Sequence, residues 1–389
     1  MRFTAGGWPA IVLTYFFGVL SSASLSKLIP LQTDYAQHLG VRPASFGLLL
    51  AALTLAPALF ASVGGSLCDR FGSRATLISA ALCGAVINGL YLWAESLPAF
   101  YALRVLEGCI LIGAYSAAPA LIMATTSGRK RGQAMAFWST YTPVGISAGL
   151  LLSSEFAGTT QWRGGYALHC GLFAALAIAG LLLPDRPSQT TATSRPATAG
   201  LFDAWRQRGP LRIAVCFGLL VVMGFGVSTV FPTWYAHQQG ITIGHASSLL
   251  ATTNLIMVLG GVLTAFALSR GIAPLRLLTG LSVLGIVAGS ALFWPGTPQA
   301  LGLVALGLWL LGSGASTAAI TSSLPLVLSD PSRGAAAAGL LSQIAALSTF
   351  FTPQLWLTLA AAGAWQGFIA VIAICWLLTL WVFPVRQHD

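Results

Sequence analysis

Charged residues in this chain fall almost entirely in short breaks between apolar runs long enough to cross a bilayer, and nothing else in the sequence constrains the fold as tightly. A soluble domain carries about 25% charged residues because its surface faces water. Here only 7% of 389 positions are charged, 56% are hydrophobic, and the mean hydropathy is +0.81. A chain so poor in charge cannot cover itself for water, so lipid is its solvent. One crossing takes about 20 apolar residues and a short connection. Reading the runs between Gly, Pro and charge punctuation gives twelve spans: 8–31, 44–67, 75–94, 98–125, 133–156, 163–184, 210–235, 245–268, 275–294, 298–323, 334–360 and 365–385. Strands of a membrane barrel alternate over segments of about ten residues. These runs are longer and apolar all round, so the prediction is an all-α, multi-pass integral membrane protein.

With an even number of spans both termini share one side of the membrane. That side carries Arg2; Arg70 and Arg74; Arg129, Lys130 and Arg131; Arg186, Arg195, Arg206, Arg208 and Arg212; Arg270 and Arg276; Arg333; and Arg386, which is 15 of the 19 Lys and Arg residues. The other side has Lys27, Arg42 and Arg163, and Arg104 lies inside a run. The positive-inside rule then places both termini in the cytoplasm, and the expected location is the cell's inner (plasma) membrane. The formal charge of +10 is spread over these loops, with no patch or tail for nucleic acid. Five of the six cysteines fall inside apolar runs and Cys68 lies at a helix end, so neither a zinc site nor a disulfide is expected. The first run has no small-residue cleavage site and reads as the first span rather than a signal peptide.

The longest polar stretch, 185–209, divides the chain nearly in half. Its Thr-, Ser- and Pro-rich start reads as a flexible linker. In Leu201-Phe-Asp-Ala-Trp205-Arg-Gln-Arg the apolar residues share one helical face, which suits a short helix on the inner surface. The two halves also echo each other. Gly64-Gly65-x-Leu67 followed by Ser73-Arg74 recurs as Gly260-Gly261-x-Leu263 with Ser269-Arg270, an offset of 196. Arg131-Gly132 recurs as Arg333-Gly334 at an offset of 202, and Trp162-x-Gly164 as Trp365-x-Gly367 at 203. Three fragments in the same order at equivalent places point to duplication: bundles at 1–184 and 210–389, each of six helices, joined by 185–209. Transporters built from repeats hold their substrate near the midplane between the repeats.

The sharpest motif is Gly65-Ser-Leu67-Cys-Asp69-Arg70-Phe-Gly72-Ser-Arg74-Ala-Thr-Leu77. Gly72 permits a tight reversal between two helices, and the arginines hold the loop inside. Asp69 sits at a helix C-terminus, where the dipole disfavours an acid, so it needs a partner such as Arg70, Arg74 or another helix's N-terminus. The segment resembles the G-x-L-x-D-R-x-G-x-R-x-x-L signature of the major facilitator superfamily, departing only at Ser73, where a basic residue is usual. The resemblance implies the major facilitator fold, twelve helices in two bundles that alternate between inward- and outward-facing states. It also implies that Gly65, Asp69, Arg70, Gly72 and Arg74 form a conformational latch, with Asp69 docking near Arg333. The second copy has Ala265 where an acid would stand.

Arg104-Val-Leu-Glu107-Gly108 in span four resembles the family's R-x-x-x-G element, whose arginine is linked to proton coupling. At 1.5 Å per residue, Arg104 lies roughly 10 Å deep and Glu107 near the midplane. A charge there costs roughly 2.5–3.5 kcal/mol on insertion scales and must face a cavity or a partner. Two readings stand: an anion and proton site, or a pair three residues apart that neutralises itself. Tyr115, eleven residues beyond Arg104, points almost the same way and is a candidate for the same cavity. Lys27 sits roughly 6 Å below the outer boundary. It either snorkels to the surface or adds a second positive group over the cavity; monocarboxylate carriers of the resembled fold have a lysine near the outer end of this helix. In the second half Asn254, beside Thr252 and Thr253, is the leading polar candidate, with core packing as its alternative.

No P-loop or H-E-x-x-H occurs, so neither ATP hydrolysis nor an enzyme is expected, and no cofactor or metal. The expected function is a secondary transporter, monomeric, using a small-molecule substrate and protons as partners, with lipid around it. Interior charges lean positive, which favours a small organic anion. The alternative is a proton-coupled drug or metabolite efflux antiporter. Trp138-Ser-Thr-Tyr-Thr-Pro143-Val-Gly145 is similar to the antiporter signature of drug exporters, but Thr142 replaces the glycine before the proline.

Overall fold

The computed structural model describes residues 2–184, 205–328 and 334–384, without the side chains of 43–44, 61–69, 334–336 and 338. It divides into two compact units, Met1–Thr193 and Ser194–Asp389. The described residues are mostly helical, with no strand among them. The N-terminal unit contains α1 (Trp8–Ser26), α2 (Gln32–Leu39), α3 (Pro43–Phe71), α4 (Ser73–Leu90), α5 (Leu97–Thr125), α6 (Gly128–Trp138), α7 (Tyr141–Ser154) and α8 (Gly164–Gly180). The C-terminal unit contains α9 (Arg208–Gln239), α10 (Ile243–Asn254), α11 (Ile256–Ser269), α12 (Pro274–Phe293), α13 (Gln299–Ser323), α14 (Gly334–Ala361) and α15 (Trp365–Val382). Among the described residues nine helical segments are long and apolar enough to cross a membrane, from Trp8–Leu39 to Trp365–Val382.

Burial is inverted relative to a water-soluble protein. Trp93, Ile178, Leu377 and Trp381 are exposed, while Lys27, Asp34, Arg104 and Glu107 are buried. Apolar surface outside and charge inside is the arrangement that a hydrocarbon solvent selects.

Two predicted spans are interrupted and one helix was not predicted. The span read at 133–156 is α6 followed by α7, broken at Ser139 and Thr140. Those hydroxyls donate to the carbonyls of Ala136 at 2.7 Å and Phe137 at 2.8 Å, which competes with the helical ladder, and Pro143 removes the next amide donor. The span read at 245–268 breaks at Leu255, just after Thr252 and Thr253 donate to Ser248 at 3.0 Å and Leu249 at 2.7 Å. Helix α2 occupies a segment that the sequence left as loop. It ends at Gly40, whose left-handed φ of 61° closes the last turn.

The units share a packing pattern. In the first, α1 packs on α7 and α5, α3 on α5, and α4 on α5 and α8. In the second, α9 packs on α14 and α13, α11 on α13, and α12 on α13 and α15. The echoed motif ends alike in both copies. Gly72 and Gly271 each adopt a φ of 80°, open to glycine and strained for other residues, and each reverses the chain between two helices. Close approaches repeat as well. A Cβ on Gly108 would strike the carbonyl oxygen of Leu53 on α3, and one on Gly314 would strike that of Met257 on α11.

Because backbone rather than a side-chain tip blocks the space at Gly314, Gly314→Ala should destabilise the protein by about 1–3 kcal/mol. Gly224→Ala, which has nothing within 4 Å, should be neutral or stabilising by up to about 1 kcal/mol. Thermal unfolding midpoints of the two variants in detergent check this; equal midpoints would refute the close-packing account.

Candidate functional site

The interior charge gathers in one place. Arg104 and Glu107 lie three residues apart on α5 and pair at 2.8 Å through Nη1 and Oε2. Lys27, at the end of α1, pairs with the other carboxylate oxygen, Oε1. Tyr91, just past α4, donates its hydroxyl to Oε2 at 3.1 Å. Both oxygens of Glu107 are thus engaged by three donors from three segments. All four side chains are at most 1% exposed, so each interaction works in a dry environment.

Each cation has further partners. Arg104 donates from Nη1 to the Ser24 carbonyl at 3.0 Å and from Nε to the Leu49 carbonyl at 3.3 Å, joining α5 to α1 and α3. Its Nη2 is buried and has no hydrogen-bond partner. Lys27 donates to Asn88 Oδ1 at 2.5 Å and sits 4.9 Å and 5.2 Å from the ring centroids of Tyr91 and Tyr166. Tyr166 and Tyr35 share a hydroxyl–hydroxyl hydrogen bond. His169, one turn beyond Tyr166, is fully buried, with Nδ1 on the Gly165 carbonyl at 2.8 Å. Formal charge in the cluster is two cations against one carboxylate, a net of one positive charge. Among the described residues, the buried charged side chains all lie in this unit.

The two readings of Arg104 and Glu107 therefore merge: they are a pair, and the pair belongs to a larger cluster. For Lys27 the snorkelling reading is wrong. Its ammonium turns inward because a carboxylate and an amide wait there, and it is 1% exposed. Tyr115 is not brought into the cluster. It bonds Ser22 Oγ at 2.8 Å beside Tyr141, and eleven residues at 1.5 Å each put it roughly 16 Å along α5 from Arg104. Asn254, buried and the last residue of α10, belongs to the other unit. Sequence reading missed Asn88, Tyr91 and Tyr166; a lone amide within the apolar run 75–94 was the available signal for Asn88.

Of the latch residues, Gly65 and Asp69 have side-chain positions outside the described residues, as does Arg333 entirely. Gly72 makes the reversal. Arg70 is exposed and lies against the Phe71 ring, and Arg74 Nη2 donates to the Leu181 carbonyl at 2.9 Å, tying the start of α4 to the end of α8.

A buried acid serving two cations predicts asymmetric mutational costs. Glu107→Gln leaves two buried positive charges without a carboxylate and should cost about 3–5 kcal/mol. Lys27→Met leaves one balanced Arg–Glu pair and should change stability by no more than about 1 kcal/mol. Thermal unfolding in detergent, with no added anion, separates these. Equal losses would mean that the cluster is held by packing rather than charge.

The family model described as Major Facilitator Superfamily matches residues 11–353. The chain is 28% identical over 150 residues to the multi-drug resistance efflux pump PmrA of Streptococcus pneumoniae, covering 38% of this chain and only 36% of the pump's length. It is 28% identical over 292 residues to the probable nitrate/nitrite transporter NarK2 of Mycobacterium tuberculosis, covering 72% of this chain and 70% of that one. A gentisate transporter of Corynebacterium glutamicum is 25% identical over 299 residues, with 73% and 65% covered. In fold, the chain is similar to a bacterial homologue of the human lysosomal transporter Spinster in an inward-facing, occupied conformation. That likeness has a TM-score of 0.77 at 13% identity and covers 96% of this chain and 95% of the other.

Proposed function

The chain belongs to the Major Facilitator Superfamily, and from that premise we propose that it carries a small organic anion across the membrane together with a proton, by alternating access. It is a transporter and not an enzyme. The observation that carries the anion reading is the buried cluster with one net positive charge: Lys27 and Arg104 against Glu107 alone. A buried charge without a full counter-charge is costly, and the two cations are placed to attract an anion. The unpartnered Nη2 of Arg104 is a donor already in place for it. The matches to NarK2 and to the gentisate transporter, both named for anions, point the same way.

Glu107 is the proton carrier in this reading. A proton on its carboxylate removes the acceptor from Lys27 and Arg104 and leaves two cations facing the anion. Each ligand then favours the other, and the coupling is reciprocal. On the far side the anion leaves, the cations return to Glu107, and the proton is released. Twelve spans with both termini cytoplasmic, in the inner membrane as a monomer, complete the proposal, supported by the 15-to-3 split of Lys and Arg. Asp69, with Gly65, Arg70, Gly72 and Arg74, is proposed as the cytoplasmic latch from the signature at 65–77. Tyr115 and Asn254 are proposed as accessory polar contacts outside the cluster.

The second reading, proton-coupled drug or metabolite efflux, draws on the PmrA match. Uptake and binding of gentisate, nitrate and the lipophilic cation tetraphenylphosphonium by purified protein in proteoliposomes decides between them: the anion reading expects one of the anions to be taken, and selection of the cation would reverse it. Within the anion reading, Arg104→Lys should weaken the anion about tenfold, because a guanidinium offers two parallel hydrogen bonds and an ammonium a point charge. Arg104→Ala should abolish binding. Glu107→Gln should lose pH-driven accumulation while keeping counterflow exchange. Unchanged pH-driven accumulation in Glu107→Gln would move proton coupling to another residue.

A further inference from the structure

We propose that Asn88, Tyr91 and Tyr166 form a cage that keeps the Lys27 ammonium seated when Glu107 takes up its proton, so that the lysine stays in place for the incoming anion. This inference rests on the reading of Lys27 and Arg104 as anion ligands. A lysine held by one carboxylate alone would lose its only partner each time that carboxylate was protonated. Lys27 is held differently. Of its three N–H donors, one goes to Glu107 and one to Asn88 Oδ1 at 2.5 Å. Its nitrogen also lies 4.9 Å from the Tyr91 centroid and 5.2 Å from that of Tyr166, inside the reach of about 6 Å over which a ring face attracts a cation.

The cage walls are fixed from behind. Asn88 donates its Nδ2 to the Gly84 carbonyl at 2.8 Å, which turns Oδ1 toward the lysine. The two tyrosine rings stack at 4.6 Å and 19°, and the Tyr166 hydroxyl is tied to Tyr35. All of these side chains are buried. Arg104 and Glu107 on α5, Tyr35 on α2, Arg163 at the start of α8 and His169 on α8 are the other charged and titratable groups around them. When the proton arrives on Glu107, the Lys27–Glu107 ion pair opens, while the amide and the two ring faces remain. Asn88, Tyr91 and Tyr166 are thus positioning residues, acting on the anion through Lys27.

The test uses the full chain in proteoliposomes with gentisate as the probe. Tyr166→Leu should raise KM about tenfold, while Tyr166→Phe, which keeps the ring, should stay within about twofold. The decisive series places phenylalanine at 166 and adds ring fluorines one after another, which drains the ring face of electron density with little change of shape. KM should rise at each step. A flat fluorine series would overturn the cage, whatever Tyr166→Leu does, and would make Tyr166 a packing residue. An unchanged KM in Lys27→Met would instead overturn the anion reading on which the cage rests.

Discussion

A deeply buried carboxylate answering to two cations at once is the interaction around which the N-terminal unit is arranged. Glu107 cannot be there without Arg104 and Lys27, because a lone buried charge is too costly. The pairing then dictates neighbours. Lys27 must come from the end of α1, the carbonyls of Ser24 and Leu49 must be close enough for the guanidinium, and Asn88 and Tyr91 must close the side facing α4. The cluster thereby ties together α1, α3, α4 and α5. It also leaves one positive charge unanswered, which is the basis of the proposed anion site.

Helices can approach that closely because their contact points are small. Gly108, one residue beyond Glu107, lets α5 lie against the backbone of α3. Gly314 does the same for α13 against α11 in the other unit. At those corresponding contacts the two units differ in chemistry. The six residues 104–109 include an arginine and a glutamate, whereas 310–315, Leu-Leu-Gly-Ser-Gly-Ala, carry no charge. The packing pattern is shared by both units, and among the described residues buried charge is found in the first.

Much of this was legible in the sequence for a physical reason: lipid imposes long apolar runs, and charge inside them stands out. Arg104, Glu107 and Lys27 could be picked from the chain on that ground alone. Their mutual arrangement could not, since nothing in the local pattern says that the end of α1 lies against the middle of α5. Lys27 near a helix end reads equally as a snorkelling side chain, and only the position of Glu107 and Asn88 decides the matter. Helix breaks at Ser139–Thr140 and Leu255 escaped because hydropathy is blind to hydroxyls competing with the backbone ladder. Helix α2 escaped because its polar residues look like a loop, although buried Asp34 and Tyr35 anchor it. The motif at 65–77 was the clearest sequence signal for family.

The central claim is that anion and proton enter the cluster together, because one removes the carboxylate's charge and the other replaces it. The most direct measurement is the proton uptake that accompanies gentisate or nitrate binding by purified protein in weakly buffered detergent solution, followed with a pH indicator. The account predicts about one proton taken up for each anion bound in the wild type and none in Glu107→Gln, which already lacks the charge. Anion binding by the wild type with no proton uptake would contradict it.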